Sequence, residues 1–502
     1  MSIRIANLSR IALGSLACFL TACIIQSPED RNPTPKPQVL RQHPRDSRYL
    51  EYQGKPIILI TSAEHYGAVL NLDFDYDRYL ETLAADGLNY TRLFTGSYVE
   101  RASSFGIEKN SLAPARGRLI GPWARSDQPG YINGGNRFDL NRWDPQYFQR
   151  LKDFVTKAAD RGIIVEVTLF SSTYQNGYWE YSPLHPHNNI NLQGPVERLK
   201  LHTLDDGPLL AIQEKLVRKF VRELNGFNNV FFEIQNEPYA DRPETAASIN
   251  PYLPDWKKEW RNRVDLADQA SLGWQRKIAS FIVDEESRLP VKHLIAQNFC
   301  NFGYPIANLD ENIRILNFHY AFPEAVALNY GYGRVMSFDE SGFSGSDDAA
   351  YRRQAWKFIL AGGGIFNSLD YSFYPGAEGG SGENRAPGGG SPALRKQLGI
   401  LKRFIEDFDY LSMGPDPRAV RLSPACRWQA LANRYREFAI YVEGESSCPV
   451  TLNLYPGDWH AEWLDTRTGE VVKTQDVNSN GVSTRLETPA FEGDIALRVR
   501  RR

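Results

Sequence analysis

Short apolar runs alternate with stretches of helical periodicity between residues 55 and 405. The runs that predict strands number eight: 57–63, 89–95, 163–170, 230–236, 293–298, 314–319, 334–340 and 364–370. The stretches that predict helices are 75–86, 145–161, 208–225, 266–288, 347–361 and 391–408. Nearly continuous apolar strands are typical of a parallel sheet that is covered on its outer face. Eight strand–helix units favour an α/β fold of the (β/α)8 TIM-barrel type over residues 46–411, and no G-x-G-x-x-G follows the first strand to indicate a nucleotide-binding sheet.

The pattern changes near residue 412. Short alternating runs follow at 427–434, 437–443, 448–454, 460–465 and 494–500, and Gly, Asn, Asp and Pro separate them. The segment from Trp463 to Val472 predicts a strand, a turn and a return strand. We therefore predict a small C-terminal antiparallel β-sandwich domain over residues 412–502.

The N-terminus has the layout of a secretory signal. Residues 1–10 contain two arginines and no acid, and residues 11–20 form an apolar run too short to span a bilayer. Leu20-Thr21-Ala22-Cys23 resembles the cleavage box of a bacterial lipoprotein, in which the cysteine carries the acyl groups. An ordinary signal peptide with Cys23 near its cleavage site is the alternative.

These features predict a lipoprotein signal peptide over residues 1–22 and a Pro-rich tether over residues 23–45. Lipidation of Cys23 would then anchor the chain to a bacterial membrane, with the exported domains on the outer membrane or facing the periplasm.

The five cysteines agree with export. Cys18 would leave with the signal peptide, and Cys300 is alone in the large domain. Cys426 and Cys448 fall on neighbouring predicted strands, so an oxidising compartment could pair them in a disulfide. Two buried thiols are the other interpretation.

Composition narrows the choice of partner. Lys and Arg total 58 and Asp and Glu total 60, a formal charge of −2, which gives no electrostatic reason to expect nucleic acid. Aromatic residues make up 12% of the chain, enough for stacking surfaces as well as for a core.

Two predicted strands end in glutamate. Strand 4 ends Glu233-Ile234-Gln235-Asn236-Glu237-Pro238, and strand 7 ends Ser337-Phe338-Asp339-Glu340-Ser341-Gly342. Active sites of such barrels form at the C-terminal ends of the strands. Two carboxyl groups about 5–5.5 Å apart perform retaining glycoside hydrolysis, one as nucleophile and one as acid/base.

The segment VFFEIQNEP (230–238) resembles the fourth-strand motif of the clan A glycoside hydrolases, which include the family 5 cellulases and mannanases. The resemblance implies that Glu237 is the acid/base, Asn236 a contact to the sugar 2-hydroxyl, and Glu340 the nucleophile. It also implies that Arg92 binds the nucleophile, and that His319 and Tyr320 lie near it at the end of strand 6.

The chain departs from the family 5 pattern in several places. His319 and Tyr320 are adjacent instead of one residue apart, so that Ala321 stands at the usual tyrosine position. Strand 3 ends without the usual histidine, and strand 8 ends Asp370-Tyr371 where tryptophan is common. The barrel followed by a β unit with a WLDTRTG hairpin is more similar to apiosidase-like, cellulase-like bacterial proteins, so a substrate is not carried over.

Further residues are predicted to contact the sugar. His65, flanked by Glu64 and Tyr66, follows strand 1 and would line a sugar subsite, and Trp179 lies in an aromatic-rich loop at the predicted mouth. Strand alternation predicts that only one of Asp339 and Glu340 faces inward. Because a bulge could exchange the two residues, Asp339 is the second candidate for the nucleophile. The Gly-rich segment 376–390 predicts either a lid or a surface loop.

The sequence therefore predicts a retaining glycoside hydrolase that cleaves a β-linked oligo- or polysaccharide with two glutamates and without metal or organic cofactor. A non-catalytic glycan-binding lipoprotein and a metal-dependent hydrolase are the alternatives. The C-terminal domain is either a carbohydrate-binding module or a packing brace. The sugar, the linkage, internal or terminal cleavage and the oligomeric state stay open.

Overall fold

A computed structural model describes residues 38–421, 426–444 and 448–502. The predicted signal peptide, the lipidation site Cys23 and most of the predicted tether lie outside these residues. Within the described ranges, no helix is both long and apolar enough to cross a membrane.

The fold begins earlier than the predicted tether boundary at residue 45. Strands β1 (Arg41–His43), β2 (Asp46–Tyr52) and β3 (Lys55–Ile57) form an antiparallel sheet. Leu40 is fully buried beside the first residues of the barrel strands, in an apolar cluster that includes Leu50 and Tyr90. Residues 40–45 therefore belong to the folded domain, because they help to cover the N-terminal end of the barrel.

Twelve strands follow in the large domain: β4 (Leu59–Ala63), β5 (Tyr90–Phe94), β6 (Trp123–Pro129), β7 (Asn136–Trp143), β8 (Ile164–Ser171), β9 (Val230–Asn236), β10 (Pro243–Ser248), β11 (Arg263–Ala267), β12 (Ile295–Asn301), β13 (Ile313–His319), β14 (Val335–Ser341) and β15 (Ile365–Leu369). Eight of them form one parallel sheet in the order β4-β15-β14-β13-β12-β9-β8-β5. The predicted (β/α)8 barrel is confirmed, and all eight predicted barrel strands are present. The pairs β6–β7 and β10–β11 are antiparallel insertions.

A side chain links the two ends of this sheet. Asn89, just before β5, accepts a hydrogen bond from the backbone N of Ile60 at 3.0 Å and donates to the carbonyl of Ile58 at 2.9 Å. The side-chain amide of Asn89 thus replaces backbone hydrogen bonds between β4 and β5, the two strands that close the ring.

The helices are α1 (Tyr76–Ala85), α2 (Pro145–Asp160), α3 (Asn176–Trp179), α4 (Leu209–Leu224), α5 (Pro238–Asp241), α6 (Gln269–Ser287), α7 (Pro323–Asn329), α8 (Asp348–Leu360) and α9 (Pro392–Glu406). All six predicted helices occur within a few residues of their predicted ends. Side-chain caps explain several starts, since Asp75, Asp144 and Ser391 accept hydrogen bonds from the first-turn amides of α1, α2 and α9.

The C-terminal region contains β16 (Gly414–Pro415), β17 (Val420–Arg421), β18 (Arg427–Asn433), β19 (Glu437–Gly444), β20 (Val450–Asn453), β21 (Gly457–Asp465), β22 (Val471–Ser479), β23 (Ser483–Leu486) and β24 (Gly493–Arg501). They form a six-stranded sheet, β16-β18-β19-β24-β21-β22, and a three-stranded sheet, β17-β20-β23. The predicted sandwich is confirmed. Most of β22 escaped prediction because its residues are largely polar, and one face of the strand is exposed while the other is only partly buried. Cys426 and Cys448 form a disulfide.

The sandwich packs against the barrel through α8. The ring of Trp356 stacks on Tyr441 with centroids 5.7 Å apart. Beside it, Arg352 binds Asp494 in a bidentate ion pair, with N–O distances of 2.6 and 3.1 Å. The contact between the two domains is therefore apolar at its centre and has an ion pair at its edge.

Candidate active site

Two glutamates meet at the C-terminal end of the barrel. Glu237 follows β9 and Glu340 lies near the end of β14. Both are nearly buried, and oxygens of the two carboxylates lie within 4.8 Å of each other and of His319. The structure therefore brings together the two predicted catalytic residues on the length scale that retaining glycoside hydrolysis uses.

Three side chains hold the carboxylate of Glu237. The hydroxyl of Tyr174 donates to Oε2 at 2.8 Å, and the hydroxyl of Tyr239 donates to Oε1 at 3.1 Å. Nδ1 of His319 lies 3.0 Å from the same Oε1. Glu237 itself has a left-handed backbone with φ of 47°, a strained conformation for a residue that precedes proline.

A different set of donors holds the carboxylate of Glu340. Arg92 Nη1 and the hydroxyl of Tyr66 donate to Oε2, each at 3.2 Å. The hydroxyl of Tyr320 donates to Oε1 at 3.0 Å. Tyr320 reaches it although it is adjacent to His319, because its backbone is left-handed with φ of 54° and turns the side chain into the site.

Asp339 and Glu340 both face inward, in contrast to the prediction from strand alternation. The register between β14 and β15 shifts between Phe338 and Ser341, so one extra residue lies in this stretch of β14. Glu340 lines the cavity, whereas Asp339 is fully buried beneath it, 3.4 Å from Nε2 of His319. Asp339 is therefore less suited than Glu340 to attack a bound substrate.

Arg92 connects the two halves of the site. Its Nε donates to Glu233 at 3.1 Å, and its Nη2 donates to Oδ1 of Asn236 at 2.9 Å. Asn236 in turn donates to the Tyr174 hydroxyl at 2.9 Å. The guanidinium is fully buried, and it fixes the orientation of both the predicted nucleophile and the predicted 2-hydroxyl contact.

A layer of buried acids lies beneath Arg92. The amide nitrogen of Asn317 donates to Glu166 at 2.9 Å and to both Glu233 and Asp339 at 3.0 Å. Each of these three acids also lies within 4 Å of the Arg92 guanidinium. Glu233 and Glu166 are thus structural acids that Arg92 and Asn317 pair within the barrel.

The two glutamates differ in proton affinity. Burial opposes ionisation of Glu237, but hydrogen bonds from His319, Tyr174 and Tyr239 outweigh it and lower the pKa of this carboxyl. Burial raises the pKa of Glu340, with the charge of Glu237 adding to it and His319 and Arg92 opposing it.

His319 adds a positive charge to this cluster beside that of Arg92. Burial alone would lower the pKa of its imidazole, but Glu340 and Asp339 raise it well above the ordinary value. As the side chains stand, Glu237 is the more acidic carboxyl. A role as general acid therefore requires that a proton reach Glu237 when substrate binds.

The two glutamates line a cavity of about 250 Å³. Aromatic rings form much of its wall: Tyr66, Phe94, Tyr98, Phe105, Tyr174, Tyr239, Trp260, Tyr320 and Phe343. His65, a predicted sugar contact, lies in the wall with its Nε2 3.4 Å from Glu100. Its neighbour Glu64 turns away and accepts hydrogen bonds from the backbone N of Gly67 and Ala68.

Trp179 does not line this cavity, in contrast to its prediction as a substrate contact. It is 5% exposed at the end of α3, and its ring packs edge-on against His185 at 5.1 Å. The short helix turns Trp179 into the protein, and Tyr174 from the same loop reaches the site instead.

Several site residues escaped sequence analysis. Tyr239 stands two residues after Glu237, so its position next to the strand-end motif could have identified it as a site residue. Glu100, Phe105, Trp260 and Phe343 lie on loops and insertions far apart in the chain, and no local pattern distinguishes them from surface aromatic or acidic residues.

Among the residues that the structure describes, two groups of side chains have metal-ligand chemistry. Glu233, His319 and Asp339 form one, and Glu237, His319 and Glu340 form the other, with ligand atoms within 4.8 Å in each. His319 belongs to both groups, and its two nitrogens already lie against Glu237 and Asp339.

The geometry defines an eight-stranded barrel with a paired-carboxylate site, followed by a β-sandwich. No protein-family model and no curated protein sequence matches the chain. Solved structures do share its fold. A glycoside hydrolase family 5 protein from Bacteroides vulgatus aligns over 92% of this chain and 93% of its own, with a TM-score of 0.61 at 13% identity. A second glycoside hydrolase aligns over 92% of this chain and 97% of its own, with a TM-score of 0.57 at 13% identity.

Proposed function

We propose that this chain is a retaining glycoside hydrolase that cleaves a β-linked oligo- or polysaccharide by double displacement. Glu340 is the nucleophile and Glu237 the acid/base. The observation that carries the proposal is the pair of carboxylates within 4.8 Å at the barrel mouth, each with its own set of donors. The shared fold with a family 5 glycoside hydrolase supports the same class of reaction.

The first step forms a glycosyl-enzyme. A carboxylate oxygen of Glu340 bonds to the anomeric carbon while the glycosidic C–O bond breaks. The leaving oxygen takes a proton from Glu237. Arg92 and Tyr320 orient Glu340 for the attack through bonds of 3.2 and 3.0 Å.

His319 supplies the proton that Glu237 needs. Its Nδ1 lies 3.0 Å from Glu237 Oε1 and 3.7 Å from Glu340 Oε1. The imidazolium gives its Nδ1 proton to Glu237 and becomes neutral, while Glu340 stays an ionised carboxylate beside Arg92. After the second step Glu237 returns a proton to the imidazole. Bound substrate favours this proton transfer for two reasons. Positive charge that develops at the anomeric carbon is stabilised by an ionised Glu340, and the glycosidic oxygen beside Glu237 can only accept a hydrogen bond, which a protonated Glu237 donates.

The second step releases the sugar. Glu237, now ionised, takes a proton from a water molecule whose oxygen attacks the anomeric carbon. The bond between that carbon and Glu340 breaks, and the configuration of the starting glycoside is restored. Asn236 contacts the sugar 2-hydroxyl in both steps, since Arg92 fixes its amide oxygen at 2.9 Å.

Export and membrane attachment are part of the proposal. Acylated Cys23 anchors the chain to a bacterial membrane, facing the periplasm or on the outer membrane, and the following Pro-rich residues act as a tether. The disulfide between Cys426 and Cys448 supports a compartment that is oxidising.

Azide rescue tests the two roles separately. With an activated aryl β-glycoside, Glu340→Ala should lose activity and azide should restore turnover as the α-glycosyl azide, because one inversion has occurred. Glu237→Ala should give the β-glycosyl azide, because azide attacks the covalent intermediate. The exposed Glu311, at the opposite end of the barrel, provides the matched control Glu311→Ala.

Four results would contradict the proposal. Full activity of Glu340→Ala excludes its role as nucleophile, and exchanged azide products reverse the two assignments. Glycan binding without turnover across a broad panel favours the receptor alternative. Loss of activity in a chelator favours metal-dependent hydrolysis.

A further inference from the structure

We propose that the cavity is a blind pocket for the terminal, non-reducing sugar of a β-linked glycoside, so that the enzyme releases sugar units from a chain end. This inference rests on the proposed hydrolase function and adds its substrate class. It follows from how the loops around the two glutamates contact one another.

One end of the cavity is closed by a loop that a second loop braces. The loop after β5 places the backbone N of Glu108 2.9 Å from the carbonyl of Arg385, in the loop after β15. Asn384 adds a reciprocal pair with Lys109, with N–O distances of 3.0 and 2.7 Å. The loop after β5 lines the cavity beside β4, through Glu100 and Leu112. The Gly-rich segment lies outside the lining and braces this loop through the contacts of Asn384 and Arg385.

Aromatic rings close the mouth from above. Phe105, after β5, lies 6.4 Å from Phe343, after β14, between ring centroids. Phe343 lies 6.1 Å from Trp260, which belongs to the insertion after β9. Strands β5, β14 and β9 are not neighbours in the barrel. The rings therefore reach across the mouth, and a polysaccharide chain has no straight groove through it.

The backbone holds these rings in a costly conformation. Phe105, Phe343 and Tyr320 have φ of 55°, 58° and 54°, a region that side chains with Cβ rarely adopt. Such strain persists only where the surrounding structure maintains it, and it is concentrated at functional sites.

The chemistry places the retained sugar at the closed end. Glu237 protonates the leaving oxygen, so the leaving group lies on the β9 side of the cavity. The sugar that stays on the enzyme occupies the other half, where His65, after β4, and Glu100, after β5, form the wall. This is the half that the braced loop closes.

Glu100 and His65 are built to bind the hydroxyls of a chain end. Glu100 is 3% exposed, and it accepts hydrogen bonds from the Tyr98 hydroxyl at 3.1 Å and from Asn110. Nδ1 of His65 is buried and has no hydrogen-bond partner within the described part of the chain. A buried polar atom without a partner is costly, and a terminal hydroxyl group supplies one.

Aryl glycosides provide the first test. The 4-nitrophenyl β-glycosides of glucose, mannose, galactose and xylose are compared with the corresponding β-1,4-linked disaccharides. Turnover of a monoglycoside with kcat/KM at least equal to that of its disaccharide counterpart is expected. Turnover of disaccharide glycosides alone, with release of the intact disaccharide, would overturn the inference.

Opening the mouth provides the second test. The double variant Phe105→Ala/Phe343→Ala should cleave a linear hexasaccharide of the same sugar internally, whereas the wild type releases only monosaccharide. Tyr252→Ala is the control, because Tyr252 is 93% exposed on the insertion that carries Trp260. Internal cleavage by the wild type, or unchanged products from the double variant, would contradict a blind pocket.

The closed end is tested with Glu100→Gln. We expect kcat/KM for the aryl monoglycoside to fall roughly tenfold to a hundredfold, since a charged hydrogen bond to the sugar is lost. The fall in kcat/KM caused by Glu100→Gln should be smaller on a substrate whose terminal sugar lacks the 4-hydroxyl or the 6-hydroxyl group. Glu311→Gln should behave as wild type, and an equal loss in both variants would overturn the role of Glu100.

Failure of the hydrolase proposal can be distinguished from failure of this inference. If no glycoside in the panel turns over, calorimetric titration of the protein with mono- to hexasaccharides of the same four sugars tests the pocket by itself. Affinity that stops rising after two sugar units supports the blind pocket. Affinity that rises up to six units, or no binding of any of them, overturns it.

Discussion

Nδ1 of His319 lies 3.0 Å from Oε1 of Glu237. The other imidazole nitrogen faces Asp339 at 3.4 Å, one residue before the proposed nucleophile. The imidazole thus joins the proposed acid/base to the buried carboxylate of Asp339, which cannot itself reach substrate. This arrangement gives Asp339 the role of a positioning residue for the proton of His319.

Replacing that anion should change the pH dependence. Asp339 is among the groups that raise the pKa of His319, so Asp339→Asn should lower it and the imidazolium should be lost at a lower pH. The alkaline limb of kcat/KM should move down by about one pH unit or more. A purely structural defect would reduce activity at all pH values without moving that limb. Asp73→Asn, at an exposed pair with Arg118, is the control.

Arg92 should be essential to stability as well as to activity. It is fully buried and contacts Glu233, Glu340 and Asn236. Arg92→Met leaves several acids without their counter-charge, and we expect a loss of about 3–5 kcal/mol in the free energy of unfolding. Urea denaturation measures it, and the exposed Arg118→Met should lose less than about 1 kcal/mol. Similar losses in the two variants would contradict the network.

The hydroxyl of Tyr320 should matter to catalysis and little to folding. Tyr320→Phe keeps the ring against Trp260 and removes the 3.0 Å bond to Glu340. We expect kcat/KM to fall roughly tenfold to a hundredfold with an unchanged melting temperature. Tyr332→Phe, at a half-exposed ring outside the cavity, should keep its activity. Wild-type activity of Tyr320→Phe would remove this residue from the site.

The disulfide should stabilise the sandwich. Cys426 and Cys448 are separated by 22 residues, and closing a loop of this size contributes about 2–4 kcal/mol. Cys426→Ser/Cys448→Ser should therefore unfold at lower denaturant concentration. Dithiothreitol should lower the stability of the wild type to that of the double variant and leave the variant unchanged. Equal stability of oxidised wild type and variant would contradict this role.

The sandwich should be required for a soluble barrel. Truncation after residue 411 removes Tyr441 and Asp494, which exposes Trp356 and leaves Arg352 unpaired. We expect the truncated chain to aggregate on expression. A soluble truncated barrel with full activity on small glycosides but reduced binding to polysaccharide would show instead that the domain is a carbohydrate-binding module.

The sequence determined the architecture because its signals are local. Apolar strand runs and helical periodicity each depend on residues within one element, and they placed all eight barrel strands and the six long helices. The ends of two strands also revealed Glu237 and Glu340, because a parallel barrel brings all such ends to one face.

Only the tertiary structure decided how that face is built. A bulge turns Asp339 inward beside Glu340, and the left-handed backbone of Tyr320 brings its hydroxyl to Glu340 although it is adjacent to His319. A one-turn helix turns Trp179 away from the cavity. Contacts between loops far apart in the chain, such as that of Phe105 with Phe343, close the mouth. These features depend on backbone conformations that surrounding contacts maintain against local preference, so no pattern along the chain records them.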